Sequence, residues 1–185
     1  MLRLNCKLSV ATLLSAALWG GTPLGNGEEP SEYQVKAAFL LNFARFVEWP
    51  STGAAQDPLV IGIVGKNPFG DSLDRAVNGK SANGRSLIIR HLSDLSGLQS
   101  CNLVFFPAAE NRRFPQAAAA LANSSILTVG ESDGFAARGG MINFVVRDGR
   151  VLFEVNPAAA SRARLKISSK VLQLAIVVKD GAQGK

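Results

Sequence analysis

MINFVVRDGRVLFEVNPAAASRARLKISSKVLQLAIVV, residues 141–178, is the stretch whose reading decides the fold. Ile142–Val146 and Val151–Val155 are β-branched and aromatic runs of strand length. Arg147-Asp148-Gly149-Arg150 lies between them, and an Asp-Gly pair tolerates the positive φ angles of a tight hairpin turn. Asn156 is a strong helix N-cap, and Pro157 fits the first helical position, where its missing amide costs nothing. The helix is expected to break at Ser168 and restart, with Val171, Leu172, Leu174, Ala175 and Val178 as an apolar stripe. A hairpin followed by such a helix needs a larger sheet to cover.

The residues upstream supply that sheet. Ser31 and Gln34 form a capping-box pattern and open a helix through VKAAFLLNFARFVEWP, stopped by Pro50. Tyr33, Ala37, Leu40, Leu41, Ala44 and Val47 mark one apolar face, with Phe39, Phe43 and Phe46 as a second beside it. That exceeds one buried stripe, so the helix is buried on two sides or presents rings to a partner. After a polar linker at 51–57, Leu59–Val64 reads as a strand buried on both faces. A short helix over Asp71–Val77, strands at Ser86–Leu92 and Asn102–Phe106, an alanine-rich helix from Pro115 to Asn123 and a strand at Ser125–Val129 follow. Strands alternating with helices imply parallel pairing with right-handed crossovers. The expected fold is α/β: a three-layer sandwich around a mixed, mostly parallel sheet of five or six strands, with a C-terminal β-hairpin and helix.

Residues 1–27 stand apart. Arg3 and Lys7, the apolar run Leu8–Trp19 and the small residues Gly20–Gly27 have the layout of a secretory signal peptide, with cleavage before Glu28. Residues 28–185 are then one α/β domain. Without the leader the chain keeps 18 basic and 14 acidic residues, a net of +4 against +6 for the whole sequence. That mild excess suits an acidic partner and is too small to argue for nucleic acid. Cys6 leaves with the leader, so Cys101 has no intramolecular partner and reads as a buried thiol.

Motifs for chemistry fail on inspection. Gly62-Ile63-Val64-Gly65-Lys66-Asn67 follows a strand but lacks the glycine spacing and the Ser or Thr of a phosphate loop. Gly130-Glu131-Ser132-Asp133-Gly134 matches a nucleophile elbow, yet the sole histidine, His91, lies upstream within a strand. One His and one Cys cannot build a zinc or copper cage, and no carboxylate pair has catalytic spacing; Glu154 is expected on the solvent side of the hairpin. No cofactor, metal or catalytic residue is expected. Two binding candidates remain. Phe39, Phe43, Arg45, Phe46 and Trp49 form an aromatic surface with a cation for a protein partner. Arg162, Arg164, Lys166, Ser168, Ser169 and Lys170 gather cations beside a helix start, which favours an anion.

YQVKAAFLLNFARFVEWP at 33–50 and GFAARGGMINFVVRDGRVLFEVNPAAASRARLKISSKVLQLA at 134–175 resemble the YfiR-like (DUF4154) family of exported bacterial proteins. Phe46-Val47-Glu48-Trp49-Pro50 and Asn156 with Ser168-Ser169-Lys170 carry the resemblance most specifically; the middle of the chain is generic α/β sequence. The resemblance implies a periplasmic, non-enzymatic repressor of cyclic-di-GMP synthesis and biofilm formation. Its partner would be the periplasmic domain of an inner-membrane diguanylate cyclase or of a sensor kinase, with an outer-membrane-associated protein drawing it away. A second copy of the chain is a further possible partner. An anionic-ligand sensor acting on a sensor kinase is the alternative. Relatives with paired cysteines respond to redox state; this chain departs from them in Cys101.

Overall fold

The computed structural model describes residues 29–50, 57–179 and 181; the leader segment at 1–27 lies outside them. Helix α1 spans Glu32–Phe46 behind the expected capping box: Gln34 N–H donates to Ser31 Oγ (3.3 Å), and Ser31 N–H to Gln34 Oε1 (2.7 Å). The helix stops earlier than the sequence suggests. Val47–Glu48 forms a short strand, β1, because it pairs antiparallel with β9 at Lys166–Ile167, and tertiary pairing overrides helical periodicity.

The main sheet is built from β2 (Leu59–Val64), β3 (Ser81–Ala82), β4 (Arg85–Leu92), β5 (Leu103–Phe106), β6 (Leu127–Gly130), β7 (Ile142–Arg147), β8 (Arg150–Val155) and β10 (Ile176–Val177). Its order is β10-β8-β7-β6-β5-β2-β4-β3, eight strands where five or six were expected. The additions, β3 and β10, are two residues each, too short to register as strands by pattern. From β4 through β7 neighbours run parallel; β7–β8 and β3–β4 are antiparallel.

Alternation along the central strands divides the interior into two cores. Leu59, Ile61, Ile63, Leu103 and Phe105 face α1 and α2 (Ser72–Val77), while Val60, Val64, Val104 and Phe106 face α3 (Phe114–Ala120) and Phe135. Both faces are covered, as a three-layer sandwich requires. Asp148 and Gly149 both take positive φ (50° and 71°), as the two-residue hairpin turn demands. Asn156 caps α4 (Pro157–Arg162), its Oδ1 accepting from Ala159 N–H at 2.9 Å. The restart at Ser168 is shorter than expected. Helix α5 is the single turn Ser169–Leu172, and the chain then extends as β10 beside β8, leaving Leu174 and Val177 exposed instead of continuing an apolar stripe.

Candidate functional site

Lysine inside an otherwise apolar helix face is the first unusual feature. Lys36 is 3% exposed and lies on the side of α1 that covers the sheet. Its Nζ donates to Glu131 Oε2 at 2.6 Å and also bonds Glu32, one turn earlier. Burial pulls the ammonium toward neutrality, but the hydrogen bonds and charges of Glu131 and Glu32 outweigh it and hold its pKa above an ordinary lysine's. Glu131 follows β6, and its Oε1 also accepts from Tyr33 Oη (3.2 Å) and from Ala108 N–H (3.1 Å), just beyond β5. One carboxylate thus ties α1 to the carboxyl ends of two parallel strands, where open α/β sheets place their ligand crevices.

A cleft of about 410 Å³ opens beside this cluster, walled by Glu131, Asp133 and Gly134 on one side and by β7 and Glu154 on the other. Asn143 is fully buried at its base; its Nδ2 donates to Glu154 Oε2 at 3.0 Å, and its Oδ1 has no donor among the described residues. Glu154 is therefore half-buried and hydrogen-bonded, not simply solvent-facing as the strand alternation suggests. The sequence pattern singles out neither Lys36 nor Asn143. The available signal was Glu32 one turn before Lys36; the deciding carboxylate comes from 95 residues away.

The aromatic candidates divide. Phe43 is 1% exposed, stacked on Phe39 and Phe144 and edge-to-face with Phe153, so it belongs to the core and offers a partner no surface. Phe39 is partly buried in the same ring cluster. Phe46 and Trp49 are half-buried, Trp49 donating through Nε1 to Asn102 O (3.2 Å), and Arg45 is exposed with Nε on Ser81 O.

The basic candidates meet that same region from the other side. Ser168 N–H donates to Phe46 O (3.0 Å), and Lys170 Nζ sits 5.6 Å from the Phe46 ring centre. The β1–β9 pair sets Lys166 opposite Glu48. Ser168 Oγ is buried without a partner among the described residues. Ser169 is exposed at the start of α5, whose single turn carries little dipole for an anion. Arg164, at φ 61°, points away to Asn123 O (3.3 Å), and Arg162 lines a separate cavity between α3 and α4.

Both glycine motifs have packing explanations. A Cβ at Gly62 would stand 2.7 Å from Cys101 Sγ, and at Gly65 2.1 Å from Glu110 Oε1, so an acidic side chain fills the space a phosphate would need. In the elbow-like motif a Cβ at Gly130 would meet the Phe135 ring at 2.5 Å, so this glycine makes room for an aromatic. His91 on β4 lies three strands from β6 and hence roughly 14 Å or more from Ser132.

Helices on both faces of a mostly parallel sheet, with a polar cleft at its carboxyl edge, define a three-layer α/β domain. Residues 33–176 match the family model DUF4154, YfiR/HmsC-like, and the chain belongs to that family. A crystal structure described as a conserved domain protein from Vibrio cholerae O1 biovar El Tor str. N16961 is similar in fold, with a TM-score of 0.50 at 14% identity. The match covers 81% of this chain but only 60% of that one, less than two thirds of its length. No helix among the described residues is long and apolar enough to cross a membrane.

Proposed function

We propose that this protein is exported through a cleaved leader at residues 1–27, that residues 28–185 are one domain, and that it binds the periplasmic sensor domain of an inner-membrane diguanylate cyclase. Binding holds the cyclase inactive and lowers cyclic-di-GMP without any contact with the nucleotide. The observation that carries this reading is the continuity of two patches far apart in sequence: the partly buried Phe46, packed under Lys170, with Arg45 and Trp49 adjoining it along the chain. Amphipathic rings beside cations are the composition of protein-binding hot spots. An outer-membrane-associated protein competing for this patch would release the cyclase.

The test is capture of membrane proteins from inner-membrane extract on the mature protein, followed by cyclic-di-GMP measurement with and without it. Capture of a diguanylate cyclase and a fall in its product supports the proposal; capture of nothing, or unchanged product, overturns it. A second reading, an anion sensor acting on a sensor kinase, draws on the unpartnered Ser168 Oγ beside Lys166 and Lys170. It requires capture of a kinase instead, in a manner that depends on added anion.

A further inference from the structure

The β7–β8 hairpin runs past the end of its neighbour. The last β6–β7 partners are Gly130 and Asn143, so Phe144–Arg147 have no strand on that side among the described residues. Turn geometry fixes which backbone groups this leaves open. A two-residue turn makes Arg147 and Arg150 a hydrogen-bonded pair, and alternate residues follow suit. The Asn156 N–H to Met141 O bond (2.8 Å) falls on the same alternation. Phe144 and Val146 therefore turn their N–H and C=O groups away from β8; the parallel Gly130–Asn143 pairing takes the Phe144 N–H to Gly130, which leaves the Phe144 C=O and both backbone groups of Val146 toward the cleft.

The chemistry around this open edge is acidic. Of the cations lining the cleft, Lys36 is taken up by Glu32 and Glu131, and Arg147 is exposed at the rim, leaving the carboxylates of Asp133 and Glu154. Asn143 adds a buried acceptor at the base, its orientation fixed by its bond to Glu154. An unpaired edge, carboxylates and an unused acceptor together suit an extended chain that brings both backbone bonds and a cationic donor. We infer that the cleft takes an extended basic segment of a partner protein by strand addition to β7, a lysine or arginine reaching Glu154, Asp133 and Asn143 Oδ1. This deepens the protein-binding reading above and rests on it.

The probe is a capped heptapeptide of alternating threonine and valine with a central lysine, compared with the same peptide carrying glutamate. The lysine peptide is expected to bind, slowing amide exchange at Val146, and the glutamate peptide to bind at least about tenfold more weakly. Asp133→Lys and Glu154→Gln should each weaken the lysine peptide. Val146→Pro removes an outward N–H without touching the β7–β8 ladder and should abolish binding while the melting temperature holds. If that variant does not fold, Asp133→Lys decides. Unchanged binding in the variants, equal binding of both peptides, or competition by lysinamide as effective as the peptide would each overturn strand addition. If Val146→Pro still captures the membrane cyclase, the regulator reading stands and only this site falls. Peptide binding with no membrane protein captured would instead uphold the site and remove the regulator reading.

Discussion

Lys36 Nζ lies 2.6 Å from Glu131 Oε2 with both side chains almost fully buried, at 4% and 5% exposure. A buried pair of this kind contributes little net stability over an apolar one, but removing one partner strands the other charge. Glu131→Ala or Lys36→Met should therefore each cost about 3–5 kcal/mol in denaturant unfolding. The double variant Lys36→Met with Glu131→Leu should recover much of that loss. A double variant as damaged as the sum of its parts would show the two act independently.

The same pair sets an alkaline limit. Carboxylate partners hold the folded pKa of Lys36 above its unfolded value, so its stabilisation is complete below about 10.4 and declines as pH rises through the folded pKa. Tyr33, raised chiefly by burial and then by Glu131, also binds its proton more tightly when folded, and contributes with the same sign. Stability measured between neutral pH and about 11 should fall in the native protein and fall less steeply in the double variant. Equal slopes would remove Lys36 from the explanation.

Gly130 and Ser132 share a motif but not a role. A methyl at Gly130 would reach 2.5 Å from the Phe135 ring, and overpacking of this kind costs typically about 1–3 kcal/mol. Gly130→Ala should lower the melting temperature, whereas Ser132→Ala should leave stability and partner capture alone. Ester turnover by the native protein that disappears in Ser132→Ala would reverse this assignment.

Cys101 is buried, its Sγ 3.6 Å from Gly97 O, and burial pushes the thiol pKa up. The thiolate is the reactive form, so maleimide labelling should be slow in the folded protein and fast in denaturant. Reductant should leave the melting temperature of the monomer unchanged. Rapid native labelling would mean that the region around Gly62 and Gly97 opens readily.

Local chemistry made much of the fold legible. Asp148-Gly149, Asn156-Pro157 and the Ser31–Gln34 box do in the structure what their side chains and φ preferences demand. Elements fixed by distant pairing were not legible. Val47–Glu48 leaves the helix only because β9 supplies hydrogen bonds, and Ile176–Val177 is a strand only because β8 lies alongside. The cleft was hidden for the same reason: Lys36 on a greasy helix and Glu131 in a glycine turn have no visible relation until the sheet joins them. The contact between Phe46 and Lys170 was divided between two separate candidate patches.

That contact yields the last prediction, because the aromatic candidates now separate by burial. Phe43 is enclosed by Phe39, Phe144 and Phe153, so Phe43→Ala should cost about 3–5 kcal/mol of stability and act on partner binding only through folding. Phe46 and Trp49 retain exposed ring surface, and Lys170 places a cation over the first. If the partner docks here, Phe46→Ala and Trp49→Ala should each lose roughly 2 kcal/mol or more of affinity. Trp49→Phe separates packing from recognition, since it keeps the apolar body and drops the Nε1 bond to Asn102 O. Lys170→Glu at an exposed position should slow association and make it less salt-sensitive, with little change in melting temperature. Thermal stability and affinity for the captured membrane protein, measured on the same variants, give the answer. Affinity unchanged in every variant that folds would move the interface away from the end of α1.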